Sequence, residues 1–158
     1  MEVLIFTELS WVPIPDRNFG RCLLRYKIDN NNDGYISFHE VDDWNNSVAA
    51  ENRVFMLDER HIRSLDGIEY FSITQLSCSI NQLTALDVSK NTALTYLNCS
   101  SNQLTSLDLS NNTALITLYC NIPSLKTLYL KKGHSINGIT YNRSTVYINN
   151  NTEIVFVD

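Results

Sequence analysis

The sequence predicts a mainly β protein: a short solenoid of stacked parallel-strand coils, closed at its N-terminal end by a small helix-loop-helix and at its C-terminal end by a β cap. Apolar residues recur in register every 21 residues through the middle of the chain. A helix-period segment running into an Asp/Asn-rich loop precedes them, and two alternating segments follow them. Self-similarity at a period of this length marks a repeat architecture, in which each unit buries its apolar face against the next. One domain over 1–158 is expected, divided into an N-terminal cap (1–54), the coils (55–132) and the C-terminal cap (133–158).

At a shift of 21 residues, Ile73-Leu76-Cys78 superposes on Leu94-Leu97-Cys99 and Leu115-Leu118-Cys120. The same shift carries Leu83-Leu86-Val88 onto Leu104-Leu107-Leu109 and Leu125-Leu128-Leu130. Each unit therefore holds two L-x-x-L-x-(L/C/V) segments. The last three residues of each alternate apolar, polar, apolar, the period of a short strand with one buried face. Two strands per coil and two parallel ladders follow. One period back from Cys78 and Leu83 lie Leu57 and Ile62, so a degenerate first coil is expected from Phe55.

Asn81 and Asn102 follow the cysteines, and Asn91 and Asn112 stand at the second corner. Asn tolerates tight-turn dihedrals and bonds exposed backbone. Pro123 and Gly133 replace it in the last coil, where the regular solenoid is expected to end. The regular spacing of Cys78, Cys99 and Cys120 marks a packing slot, and with the isolated Cys22 they are read as reduced thiols.

The stretch LTALDVSKNTALTYLNCSSNQLTSLDLSNNTAL (83–115) resembles leucine-rich repeats, specifically the short 21-residue kind with two nested segments in bacterial surface proteins. The resemblance covers about 55–130. It implies a short right-handed leucine-rich-repeat solenoid, a rigid curved recognition platform and an extracellular or cell-surface location. It names no ligand.

Open solenoid ends expose leucines and unpaired strand groups, and need covering. Thr145-Val146-Tyr147-Ile148 and Glu153-Ile154-Val155-Phe156-Val157 alternate as strands around Asn149-Asn150-Asn151 and supply the C-terminal cap. At the other end, Phe19, Leu23 and Leu24 fall at helical spacing within Arg17 to Lys27, and Glu40 to Asn45 can form a second helix.

Between them, residues 29–40 match the EF-hand calcium pattern at each diagnostic place. Calcium is a hard cation that takes about six to eight oxygens. The loop offers the side chains of Asp29, Asn31 and Asp33, the Tyr35 carbonyl, Ser37 directly or through water, and Glu40 as the closing bidentate ligand. Gly34 permits the central turn and Ile36 is expected to enter the core. One bound calcium ion, structural in role, is the expectation. With IRSLDGIEYF (62–71), the loop is similar to the N-terminal region of those same bacterial repeat proteins, where a calcium loop like half a dockerin site precedes the first coil. This chain has one loop where such loops usually pair, so cohesin docking is not implied, and Asn31 leaves it three charged ligands.

Composition narrows the function. A net charge of −5, with no basic run longer than Lys131-Lys132, offers nothing to neutralise a phosphate backbone, so no nucleic-acid partner is expected. The apolar stretch Val3 to Phe6 follows Glu2 and is too short for a signal peptide or a membrane span. Neither signal peptide nor membrane insertion is expected. His39, His61 and His134 have no interpretable partner for a nucleophile-base arrangement, so no catalysis is expected. Asp66, Asp87 and Asp108 also recur every 21 residues and are expected to be solvated or turn-bonded.

What remains is a non-catalytic binding module for protein-protein or cell-surface recognition, with a glycan-binding module or a structural spacer or stalk as the alternatives. The outward positions Gln75, Ser77, Tyr96, Asn98, Thr117 and Tyr119 form the expected face, with Tyr129 on the sister strand. Tyrosine gives contact area at low entropic cost.

Overall fold

The computed structural model describes residues 11–133, 146–148 and 151–158. The Val3 to Phe6 stretch, His134, Thr145, Asn149 and Asn150 lie outside the described residues.

Two helices come first, α1 (Arg17–Arg25) and α2 (Phe38–Ser47), followed by strands β1 (Val54–Met56), β2 (Gln75–Ser77), β3 (Tyr96–Asn98), β4 (Ser106–Asp108), β5 (Thr117–Cys120), β6 (Thr127–Lys131), β7 (Val146–Ile148) and β8 (Glu153–Val157). All strand pairing is parallel. One sheet has the order β1-β2-β3-β5-β7, the other β4-β6-β8. In the first, Phe55 pairs with Leu76, Leu76 with Leu97 and Leu97 with Leu118, the 21-residue register read from the sequence, starting where the degenerate coil was expected. The chain is a mainly β, parallel-strand solenoid with two small helices at its N-terminal end.

The core is the stack of repeat positions. Leu76, Leu97, Leu118, Cys78, Cys99 and Cys120 are fully buried, as are Leu83, Leu104, Val88, Leu109 and Leu130. Each such leucine contributes about 1.5–3 kcal/mol by leaving water, and only a neighbouring coil can cover it. At the corners the asparagines join one coil to the next. Asn102 donates Nδ2 to the carbonyls of Cys78 (3.0 Å) and Cys99 (2.9 Å) and accepts the Leu83 amide (3.0 Å). Asn112 likewise reaches Val88 O and Asn91 O.

Two expectations are corrected. The second ladder does not begin with the first coil, because no strand forms around Leu86 and β4 is its edge. One period before Val88 stands Gly67, at φ +100°, leading into the 3-10 turn Ile68–Tyr70, so the backbone there cannot run extended. At the far end, β7 and β8 are present but do not form a separate cap. Each adds in parallel to a solenoid sheet, Leu118 pairing with Val146 and Leu128 with Ile154. The repeat lengthens there instead of stopping. A longer connection leaves parallel addition intact, since an extra loop costs little entropy compared with a ladder of hydrogen bonds.

In α1 the buried residues are Phe19, Cys22 and Leu23, while Leu24 is exposed, so Cys22 takes the inward place assigned to Leu24. The cap joins the coils through an aromatic cluster. Phe55 of the first coil packs on Tyr26, Trp44 and Phe71 at ring separations of 4.8, 5.3 and 5.3 Å. Among the described residues, no helix is long and apolar enough to cross a membrane.

Candidate functional site

The loop between α1 and α2 folds much as its sequence dictates. Gly34 takes φ +86° and Asn32 φ +60°, and Ile36 is buried. Each acidic or amide side chain bonds backbone a few residues ahead. Asp29 accepts the amides of Asp33 (3.1 Å) and Gly34 (3.0 Å), Asn31 accepts Asp33 (2.8 Å), and Asp33 accepts Tyr35 (2.9 Å). The backbone at the loop's edge is satisfied by the chain's own N-terminal segment, Val12 donating to Ile36 O at 2.8 Å. A single loop therefore needs no second loop to complete it.

Glu40 is the informative residue. It is buried, and its Oε1 accepts the amides of Asn30 (2.9 Å) and Asn31 (3.4 Å), while Oε2 accepts the amide and hydroxyl of Ser37, both at 2.9 Å. Ser37 Oγ in turn accepts the Glu40 amide, completing a capping box at the start of α2. Burial works to raise the Glu40 carboxyl, but the Ser37 amide and hydroxyl and the amides of Asn30 and Asn31 outweigh it and hold the carboxyl below its ordinary value.

The donors suit calcium in kind and spacing, all being hard oxygens around a turn built on Gly34. Asp29, Asn31 and Asp33 keep lone pairs free. Glu40 does not: a carboxylate offers about four acceptor sites, and backbone and Ser37 take them. Among the described residues no group of three or more His, Cys, Asp or Glu side chains converges on a metal position. Calcium ligation by Glu40 requires it to exchange capping-box partners for the ion.

On the five-stranded sheet, β2, β3 and β5 bring Gln75, Tyr96, Asn98, Thr117 and Tyr119 onto one half-exposed face. Tyr96 and Tyr119 lie diagonally across adjacent strands with ring centroids 5.8 Å apart, tilted by 50°. Burial is the main cause that raises the Tyr96 hydroxyl above its ordinary value, the charges of Tyr119 and Asp58 add to it, and a hydrogen bond with the Asn98 side chain opposes it. Two assignments change. Tyr129 belongs to β6 of the other sheet and does not join this face. Ser77, read as outward, is buried, because Asp58 Oδ1 takes its hydroxyl at 2.7 Å along with the Ser79 amide (2.7 Å) and hydroxyl (2.6 Å). The face also carries Met56 and, at its margin, Ile116, both about half exposed and both missed from the sequence. The register would have revealed Met56, since it pairs with Ser77.

Asp87 and Asp108 are turn-bonded, to the amides of Ser89 and Ser110 at 2.9 Å each. All four cysteines are free and buried. Burial drives the Cys78 and Cys99 thiols far up and pushes Cys120 up to about 12, which disfavours the reactive thiolate. His61 is exposed in a left-handed turn, and His39 is exposed 3.7 Å from Asp43. Sequence reasoning overlooked Asp16. Its Oδ1 caps α1 through the amides of Asn18 and Phe19, and its Oδ2 accepts Arg63 (2.7 Å) and Ser64 (3.2 Å) of the first coil. The Pro-Asp pair before the helix was a capping signal, but nothing in it points to residue 63.

No protein-family model matches the chain, and no curated protein matches it in sequence. Among solved structures the chain is similar to the functional domain of InlJ from Listeria monocytogenes, described as including a cysteine ladder. The likeness has 22% identity and a TM-score of 0.34, and it covers 78% of this chain. This chain spans 41% of the length of that one.

Proposed function

We propose that this chain is a non-catalytic binding module that recognises a protein partner through the face of the five-stranded sheet, in an extracellular or cell-surface setting. The observation that carries the reading is the Tyr96-Tyr119 pair, two amphipathic rings held on rigid neighbouring strands beside Asn98, Gln75 and Thr117. Aromatic rings fixed by a sheet lose little entropy on contact. The location rests on the likeness of the repeats to those of bacterial surface proteins. A glycan ligand is the second reading, favoured by the same rings flanked by amides, which suit stacking on sugar faces and bonding of hydroxyls. Pull-down from surface extracts and a glycan array, each run with Tyr96→Ala/Tyr119→Ala beside the native protein, separates the two. Binding that survives the double substitution puts the site elsewhere.

The N-terminal loop is proposed to hold one structural calcium ion through Asp29, Asn31, Asp33, Tyr35, Ser37 and Glu40. Three carboxylates in twelve residues repel when no cation offsets them. An ion bound only by the folded state stabilises it by about 2.7 kcal/mol when it is a hundredfold above Kd. Melting in chelator and then in millimolar calcium should show a rise. Glu40→Gln tests the ligand cleanly, because Gln also serves in a capping box: the calcium-dependent rise should disappear while stability in chelator changes little. A melting temperature indifferent to calcium defeats this assignment.

A further inference from the structure

A cleft of about 440 Å³ opens on the N-terminal cap, away from the strand face. One wall is α1, which presents Arg17 and Arg21 one helical turn apart; the other is apolar, made by Val12, Ile14, Tyr35 and Ile36. Neither guanidinium has an ion-pair partner among the described residues, whose ion pairs are His39-Asp43 and Lys132-Asp158. Their position is electrostatically unfavourable. Arg17 is the first residue of α1, at the positive end of the helix dipole, and no acidic residue stands in the first turn. Two like charges four residues apart repel as well. In a chain of net charge −5, this wall is a local exception that an anion would relieve.

We infer that the cleft is a second binding site and that its ligand is an extended acidic peptide in which carboxylate and apolar side chains alternate. Side chains at i and i+2 of an extended strand point to the same side, about 6.6 Å apart. That matches the roughly 5–6 Å between side chains one helical turn apart. Two carboxylates can therefore each meet a guanidinium fork, while the intervening apolar side chains face Val12, Ile14 and Ile36. Arginine suits this role because its planar fork pairs bidentately with carboxylate. Trp11 and Tyr35, both exposed and stacked at 5.2 Å, form an aromatic rim at the apolar side.

The test is fluorescence anisotropy of a labelled Gly-Glu-Leu-Glu-Leu-Glu-Gly peptide with the full chain. Saturable binding is expected that weakens as salt rises. The Arg17→Gln/Arg21→Gln variant should lose affinity by about tenfold or more, since each charged bond is worth about 1.5–3 kcal/mol. On the native protein, replacing Glu by Gln in the peptide, or Leu by Ser, should each weaken binding comparably. These peptide arms decide the matter even if the double variant fails to fold. Tyr96→Ala/Tyr119→Ala should leave this binding unchanged. The proposal is overturned by no binding, by equal affinity for the Glu and Gln peptides, by loss of binding in the tyrosine variant, or by an oligogalacturonate binding as tightly as the peptide.

Discussion

Asn81 and Asn102, one repeat apart, each place a side-chain amide on the carbonyls of two successive coils: Leu57 and Cys78 for the first, Cys78 and Cys99 for the second. In the cap, Asp16 reaches across 47 residues to Arg63, and Tyr26 reaches across 30 to Met56, whose amide it accepts at 2.6 Å. No second copy of either contact exists among the described residues. A coil residue finds its partner by translation along the stack, so any slot is filled several times over. A cap residue has one partner, chosen by shape. The coils should therefore lose stability by similar steps wherever a slot is emptied, and the cap by unequal ones.

The largest effect is expected where the two regions meet. Phe55→Ala removes a fully buried ring that touches Tyr26, Trp44 and Phe71, and should cost about 3–5 kcal/mol in urea unfolding. If cap and coils then melt separately, Phe55 is what makes them one cooperative unit. Within the coils, Asn102→Ala strands buried carbonyls of Cys78 and Cys99 and the amide of Leu83, at about 2–3 kcal/mol. Asn81→Ala should match it, because its partners are equivalent. A large inequality between the two would break the translational rule.

Asp16→Ala comes next, at about 1–2 kcal/mol for the lost cap, and its pH dependence identifies it. Burial acts to raise the Asp16 carboxyl, but the amides of Arg63, Phe19, Ser64 and Asn18 together leave it below its ordinary 3.8. A depressed folded value means that the contribution is fully present above pH 3.8 and fades as pH falls through the lower folded value. The gap between native and variant should be constant at neutral pH and narrow only in acid. The smallest effect is Cys99→Ala, about 1 kcal/mol, since little more than one buried atom is lost. Native Cys99 should resist thiol reagents until the chain unfolds, and rapid labelling of the folded protein would contradict its burial.

Much of the architecture was legible because its contacts repeat. Leu76, Leu97 and Leu118 share one spacing, and a shared spacing states the pairing register directly. The loop at 29–40 was legible for a different reason: its side chains bond backbone two to five residues ahead, within reach of local patterns. The burial of Ser77 was hidden because Asp58, its partner, lies in the degenerate first coil where the pattern is faint. Tyr129 was grouped with the wrong face because period alone gives alternation within a strand and says nothing of which sheet the strand joins.

By itself, then, the sequence determined the solenoid, its inward leucines and cysteines, its asparagine corners and the conformation of the acidic loop. These follow from periodicity and from short-range hydrogen bonding. Only the tertiary structure decided that Gly67 delays the second ladder, that β7 and β8 continue the two sheets, that Glu40 faces backbone amides and Ser37, and that Arg17 and Arg21 line a cleft. Those outcomes depend on close approach between segments with no common spacing. A Cβ on Gly67 would stand 2.9 Å from Pro13 O, a contact that exists only once the cap has packed against the first coil.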